Sequence, residues 1–185
     1  MKILCIESMW DREDSMSVLP ILELIHQNYG AEFVHRKFYS FEELRNITDG
    51  IVENDFDILY YAGHGKTGRL KNGTSDTDYI RLEDFLENFK FPFKGKTVHI
   101  SACAVLDISD RRLYGLINKF GMKILSGYNI YTYWLPSASM DLLYFDHLLS
   151  DGINSKSDMY RFLRLNRSVV EMSGFVMRYN DVNDT

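Results

Sequence analysis

Short apolar runs alternate with amphipathic stretches along most of the chain. The apolar runs predict β-strands at residues 2–7, 32–38, 56–62, 96–102 and 123–126. Between them, apolar residues recur at helical spacing. This spacing predicts helices at residues 17–29, 82–89, 110–120, 137–149 and 157–172, and another that begins after Ser40. Such alternation predicts an α/β fold, a mostly parallel sheet with helices on both faces.

Local signals at the helix ends support these boundaries. Ser40, with Glu43 three residues later, has the pattern of a capping box. Pro20 suits the first turn of the first helix. That helix is expected to bury one side, which consists of Leu19, Leu22, Leu24 and Ile25.

Right-handed crossovers leave few arrangements for such a sheet, and we expect the strand order 2-1-3-4-5. The 185 residues fit one domain. We predict a three-layer α/β/α sandwich over residues 1–178 and a frayed tail over residues 179–185. The segment 65–78 is rich in turn-forming residues. It predicts a long loop, or a loop with a small hairpin around Asn72 and Gly73.

Composition narrows the classes of partner. With 45% hydrophobic residues the chain can bury a substantial core, and its net charge of −5 argues against a nucleic-acid partner. From its sequence we expect neither a signal peptide nor a membrane-spanning segment. The two cysteines, Cys5 and Cys103, fall in predicted interior strands rather than in a disulfide framework. We therefore expect a cytoplasmic protein without a membrane partner.

Two predicted strands end at reactive side chains, His64 and Cys103. Thiol catalysis needs a cysteine nucleophile and a histidine that takes its proton. If the strands are neighbours, both side chains lie at the carboxyl edge of the sheet, where open α/β sheets bind ligands. Taken singly, each residue is more often structural. The glycines beside His64 and the small residue Ala102 beside Cys103 favour a functional site.

Other kinds of site fit less well. The residues from Gly63 to Thr67 contain the end of a phosphate-binding loop, but Tyr60 stands where that loop needs glycine. The first strand is followed by no glycine of the dinucleotide fingerprint, and no Gly-x-Ser-x-Gly element is present. We predict neither a metal nor a cofactor, since the remaining histidines are scattered singly: His26, His35, His99 and His147.

The two strand ends together resemble the caspase-like cysteine peptidase clan, which includes caspases, metacaspases, separases and bacterial CHAT domains. The resemblance lies in His64-Gly65 and in Ala102-Cys103, and residues 124–128 look like the CHAT branch. It implies an α/β/α sandwich in which Cys103 is the nucleophile and His64 the general base. It also implies that the backbone N–H groups of Gly65 and Cys103 form the oxyanion hole.

The resemblance leaves substrate preference open. Ser101 stands where caspases have glutamine and metacaspases aspartate, so it specifies neither an acidic nor a basic residue before the cleaved bond. Asp11 would border the site and suit a basic residue there, and Tyr128 would line a groove for the substrate. The bulky Val105 and Leu106 are expected to narrow the approach to the thiol. Tyr131, Tyr133 and Trp134 are expected near the same edge, or as core residues under a loop.

The sequence therefore favours a bacterial, CHAT-type cysteine endopeptidase that hydrolyses peptide bonds in a protein or peptide substrate. If it is regulated, a partner chain or an oligomer must do so. Two alternatives remain open. One is a catalytically inactive caspase-like interaction module. The other is a flavodoxin-like small-molecule binder at the same sheet edge, which the lack of a phosphate-binding loop disfavours.

Overall fold

A computed structural model of the chain describes residues 1–10, 16–52, 56–72, 75 and 77–181. Its strands are β1 (Lys2–Ser8), β2 (Glu32–Phe38), β3 (Ile58–Ala62), β4 (Gly65–Lys66), β5 (Arg69–Lys71), β6 (Tyr79–Arg81), β7 (Thr97–Ser101), β8 (Ile124–Tyr128) and β9 (Phe175–Tyr179). Its helices are α1 (Leu19–Tyr29), α2 (Phe41–Asp49), α3 (Leu82–Glu87), α4 (Asp110–Phe120), α5 (Trp134–Ser150), α6 (Lys156–Leu165) and α7 (Arg167–Ser173).

The central sheet has the order β2-β1-β3-β7-β8-β9. The first five strands are parallel, and β9 runs antiparallel to β8. This confirms the predicted order 2-1-3-4-5 and the three-layer α/β/α sandwich, and it adds a sixth strand. Because successive side chains of a strand point to opposite faces, β1 serves two cores, one through Ile3 and Cys5 and the other through Leu4 and Ile6.

Each face of the sheet is covered by its own helices. Helices α2, α3 and α4 bury their apolar sides on the face of Leu4, and α1, α5 and α6 bury theirs on the face of Ile3. In α1, Pro20 lies in the first turn as predicted. Leu24, predicted to be buried, is 45% exposed because it lies on the outer side of that helix. Within the described parts of the chain, no helix combines the length and apolar character needed to cross a membrane.

The described residues of the segment after β3 contain more β-structure than the turn-rich sequence predicts. Strands β4, β5 and β6 form a small antiparallel sheet. The first hairpin turns at Thr67 and Gly68, and Gly68 has a φ of 67°, which favours glycine. The second connection joins Lys71 to Tyr79 and includes the predicted turn position Asn72.

The C-terminal region departs from the prediction in two ways. The single helix expected over residues 157–172 is divided into α6 and α7 at Asn166. The strand β9 was not predicted. Its last residue, Tyr179, is the first residue of the expected frayed tail. The Tyr179 hydroxyl donates to the Asn154 carbonyl at 2.6 Å, which fixes the end of this strand.

The capping box predicted at α2 is present in modified form. The Ser40 hydroxyl accepts a hydrogen bond from the Glu43 N–H at 3.2 Å. The Glu43 carboxylate accepts from the N–H of Tyr39, one residue before the cap, at 2.9 Å. Two backbone donors at the helix start are thus satisfied by the two side chains that the sequence identified.

Two glycines give a matched test of this packing. A Cβ atom at Gly127 in β8 would lie 2.4 Å from the Ile100 carbonyl oxygen of the neighbouring strand, whereas a Cβ at the exposed Gly115 in α4 would meet nothing within 4 Å. We expect Gly127→Ala to lower the free energy of unfolding by about 2–4 kcal/mol. Gly115→Ala should raise it by about 0.5–1 kcal/mol. Urea denaturation measures both, and equal effects of the two variants would contradict this packing.

Candidate functional site

The ends of β3 and β7 lie side by side. In the parallel ladder Ala62 pairs with Ser101, and the Gly63 N–H continues the contact by donating to the Ser101 carbonyl at 3.1 Å. His64 and Cys103 each stand two residues beyond this last pair. They therefore leave the sheet together at its carboxyl edge, as the sequence predicted.

His64 and Cys103 line one cleft with a volume of about 110 Å³, and both are partly buried. The other residues that line it are Trp10, Met16, Gly63, Ser101, Ala102, Tyr128, Thr132, Trp134 and Ser137. A larger cavity of about 530 Å³ lies against α2 and the first two strands. The described residues of that cavity include neither cysteine nor histidine, so we place the candidate chemistry in the smaller cleft.

The orientation of the His64 ring is set by Trp10. The ring Nε2 lies 2.6 Å from the Trp10 carbonyl oxygen. A carbonyl can only accept, so Nε2 bears a hydrogen and the lone pair of the neutral ring is on Nδ1. The Trp10 indole also meets the His64 ring edge-on, with the ring centroids 5.3 Å apart. Nδ1 is therefore the atom of His64 that can act as a base.

Trp10 is fixed in turn by Glu7, a fully buried carboxylate at the end of β1. Glu7 accepts from the Trp10 Nε1–H at 2.6 Å and from the Val18 N–H at 3.0 Å. It also contacts the Ser17 hydroxyl at 2.8 Å and His35 Nε2 at 2.5 Å. Glu7 thus contacts Trp10, which precedes the segment 11–15, and Ser17 and Val18, which follow it. The predicted substrate contact Asp11 lies in that segment, outside the described residues.

Two opposed effects set the pKa of Glu7. Burial alone raises the pKa of a carboxyl group. Hydrogen bonds from His35, Trp10, Ser17 and the Val18 N–H outweigh burial and bring the pKa of Glu7 below its usual value. Glu7 is therefore ionised at neutral pH.

The Cys103 thiol is held by the loop after β8. Its Sγ donates to the Thr132 carbonyl at 3.4 Å. Among the described residues, no hydrogen bond joins this sulfur to His64, and the Cys103 N–H has no acceptor. The next residue, Ala104, has a φ of 53°, a costly conformation for a non-glycine residue. It is stabilised by a 2.9 Å hydrogen bond from its N–H to the Ile130 carbonyl.

The N–H of Gly65, which the resemblance implies is an oxyanion donor, is not used in the β4–β5 ladder. The Lys71 N–H donates to the His64 carbonyl at 3.0 Å. Because hydrogen-bonded and non-hydrogen-bonded pairs alternate in an antiparallel ladder, the next pair, Gly65 with Leu70, is non-hydrogen-bonded. The Gly65 N–H therefore points away from β5. A Cβ here would lie 2.3 Å from Cγ2 of Val105, so only glycine fits without a shift.

The expected narrowing of the cleft by Val105 and Leu106 is wrong. Both side chains are buried in the core beneath the cleft, and the cleft lining does not include them. The chain turns at Ala104, which directs the next two residues inward.

Below the cleft lies a buried carboxylate that the sequence analysis did not identify. Asp141 of α5 accepts hydrogen bonds from Ser101 Oγ at 2.7 Å, Tyr60 Oη at 2.8 Å and His99 Nε2 at 2.8 Å. The Tyr128 hydroxyl contacts it as well. The predicted substrate contacts Ser101 and Tyr128 do line the cleft, and both are anchored from beneath by Asp141.

His64, Ser101, Cys103 and Tyr128, which the sequence analysis selected, line the cleft, but the residues behind them were not predicted. A signal was present: Glu7 and His99 are polar residues in otherwise apolar strands, and such residues need a buried partner. The sequence alone did not show which distant residue supplies it.

Neither a metal site nor a disulfide is found in the described parts of the chain. No group of three or more His, Cys, Asp or Glu side chains there is arranged to hold a metal ion. Cys5 and Cys103 are both free thiols. Cys5 is buried in β1, whereas Cys103 lies just beyond the end of β7 rather than within the strand.

Comparison with known proteins places the chain in a family. Residues 1–179 match DUF6642, a family of unknown function, and the chain belongs to it. No curated protein matches the chain. Among solved structures it is similar to the crystal structure of caspase-1 from Spodoptera frugiperda, with 14% identity and a TM-score of 0.57. The similarity covers 97% of this chain and 85% of that one. The fold is therefore caspase-like.

The contacts of Glu7 predict a dependence of stability on pH. Because its pKa is lower in the folded chain than in the unfolded chain, ionised Glu7 adds stability above its ordinary pKa, and this is lost as the pH falls through the folded value. We expect Glu7→Gln to lower the free energy of unfolding at neutral pH by about 1–3 kcal/mol. The variant should also show a shallower loss on acidification, measured by urea denaturation across acidic pH. The exposed Glu32→Gln is the control. An unchanged acid slope in Glu7→Gln would contradict this role.

Proposed function

We propose that this protein is a cysteine endopeptidase in which Cys103 and His64 act as a dyad. The observation that supports it best is their position on one cleft at the carboxyl edge of two neighbouring parallel strands. The Trp10 carbonyl at His64 Nε2 adds support, because it leaves the lone pair of the ring on Nδ1.

In the proposed reaction, His64 Nδ1 takes the proton of the Cys103 thiol, and Sγ attacks the carbonyl carbon of the substrate peptide. The protonated ring then gives that proton to the leaving amine as the C–N bond breaks. The acyl group stays on Sγ as a thioester. A water molecule, deprotonated by His64, hydrolyses the thioester and restores the thiol.

The developing oxyanion would be stabilised by the N–H groups of Gly65 and Cys103. Gly65 directs its N–H away from β5, and the Cys103 N–H has no acceptor among the described residues. Fixed donors of this kind are typically worth about 10²–10³ in rate each.

A second candidate is an interaction module with the same fold and no catalysis. One observation favours it: the Cys103 thiol donates to the Thr132 carbonyl rather than to His64. The enzyme hypothesis requires the thiol to leave Thr132 and approach the imidazole when substrate is bound. Catalytic contacts are often long before substrate binds.

Peptide cleavage decides between the two candidates. We expect the wild type to cleave members of a peptide library, Cys103→Ala to show no turnover above background, and His64→Ala to lose about 10²–10⁴ in kcat/KM. Cys5→Ala, which removes the buried cysteine, should retain activity. Equal turnover by wild type and Cys103→Ala, or none by either across the library, would overturn the enzyme hypothesis.

Cysteine labelling provides a test without a substrate. Iodoacetamide near neutral pH should modify Cys103 much faster than Cys5, because Cys5 is fully buried and burial raises the pKa of its thiol well above the usual value. His64→Ala should slow the labelling of Cys103 and leave that of Cys5 unchanged. Equal labelling of Cys103 in wild type and His64→Ala would show that the imidazole does not activate the thiol.

A further inference from the structure

Three hydroxyl groups on the cleft donate their hydrogens to the protein itself. Ser101 Oγ donates to Asp141. The single hydrogen of the Tyr128 hydroxyl goes either to Asp141 or to the Ser137 carbonyl, which lies 2.9 Å away. Ser137 Oγ donates to the Trp134 carbonyl at 2.9 Å. A hydroxyl has one hydrogen and two lone pairs, so these groups can only accept hydrogen bonds from a molecule in the cleft.

Asp141 keeps the hydroxyls of Ser101 and Tyr128 in this orientation. Its carboxylate is 1% exposed. Burial raises the pKa of a carboxyl group, but His99 and the hydroxyl donors outweigh this and bring the pKa of Asp141 below its usual value. Asp141 is therefore ionised at neutral pH and cannot donate to either hydroxyl. His99 Nε2 also lies at hydrogen-bond distance from Asp141, at 2.8 Å.

The walls of the cleft suit a long side chain with an apolar stem. Met16 and the indole rings of Trp10 and Trp134 supply apolar surface. Of the described residues that line the cleft, only His64 has a basic side chain. The volume of about 110 Å³ is several times what one water molecule needs. A lysine or arginine side chain can place its stem on the aromatic walls and its charged end at the acceptors. A carboxylate would meet lone pairs there.

We propose that this cleft binds a basic side chain, that of the substrate residue immediately before the cleaved bond. Ser101 would accept a hydrogen bond from its cationic end, the buried Tyr128 would line the cleft beside it, and Asp141 would be the positioning residue behind both. The assignment to the residue before the cleaved bond rests on the proposed function, because it assumes attack by the neighbouring Cys103. Recognition of the cation requires no catalysis.

Protection of Cys103 from iodoacetamide tests the recognition directly. The probes are n-butylguanidinium, pentanoate and pentanamide, each added to the wild type at the same concentration and ionic strength. We expect n-butylguanidinium to slow the alkylation of Cys103 several-fold, pentanamide to slow it less and pentanoate not at all. Equal protection by all three probes, protection by none, or the strongest protection by pentanoate would overturn the proposal.

Variants beneath the cleft test the role of Asp141. In Asp141→Asn the new amide can donate, which frees the Ser101 and Tyr128 hydroxyls to turn their hydrogens into the cleft. We expect n-butylguanidinium to bind about tenfold more weakly, because hydroxyl hydrogens would then face the cation; this factor corresponds to about 1.4 kcal/mol. Ser101→Ala removes one acceptor and should weaken binding by a smaller factor. This second variant keeps the proposal testable if Asp141→Asn does not fold.

Tyr144→Phe is the matched control. Tyr144 is buried and packs on His99, with the ring centroids 5.0 Å apart, but it does not line the cleft. We expect it to leave the protection of Cys103 unchanged. If folded Asp141→Asn and Ser101→Ala are both protected as well as the wild type, the proposed acceptors do not bind the cation and the proposal fails.

The two hypotheses fail in different ways. If n-butylguanidinium protects Cys103 selectively but no peptide is cleaved, the proposed enzyme activity fails and the cation site stands. If peptides are cleaved without preference for lysine or arginine before the cleaved bond, the activity stands and the assignment of this cleft fails.

Discussion

The parallel pairing of β3 with β7 is the constraint on which the candidate site depends. Its register places Ala62 opposite Ser101, so His64 and Cys103 leave the sheet at the same level. A shift of one residue would turn the side chains of one strand to the opposite face. The strands are buried on both faces, and such burial specifies register strongly. The packing of the two cores thus fixes the position of the candidate dyad, although the dyad itself belongs to neither core.

Two buried carboxylates extend this constraint from the sheet to the cleft. Glu7 fixes Trp10, whose carbonyl orients His64, and Asp141 fixes Ser101 and Tyr128. Burying a charge is costly unless it is paired and hydrogen-bonded, and each carboxylate has several donors. Removing one donor leaves a buried anion less well satisfied, which costs about 1–3 kcal/mol or more. The hydrogen bonds that allow these two charges to be buried therefore also position the residues of the cleft.

The sequence predicted the parts of the structure that depend on local pattern. The order of the parallel strands follows from alternating strands and helices, and the positions of His64 and Cys103 follow from where two apolar runs stop. The partners of Glu7 and His99 could not be predicted, because they depend on how α1, β2 and α5 pack against the sheet. Strand β9 was missed because its five residues directly follow a helix. The inward direction of Val105 depends on the backbone turn at Ala104. Alanine is not a typical turn residue, so the sequence did not indicate this turn.

This missed strand bears directly on the candidate nucleophile. The loop after β8 is held on one side by the Asn129 N–H, which donates to the Gly174 carbonyl at 2.9 Å, just before β9. On the other side its Ile130 carbonyl accepts from Ala104, and its Thr132 carbonyl accepts from the Cys103 thiol. Gly174 has a φ of 67°, and a Cβ there would lie 2.3 Å from Cγ1 of Ile130. The C-terminal strand thus supports the loop that receives the thiol hydrogen bond. The hydrogen bond between the Cys103 thiol and the Thr132 carbonyl therefore depends in part on β9. A substrate that competes for the Thr132 carbonyl would release the thiol.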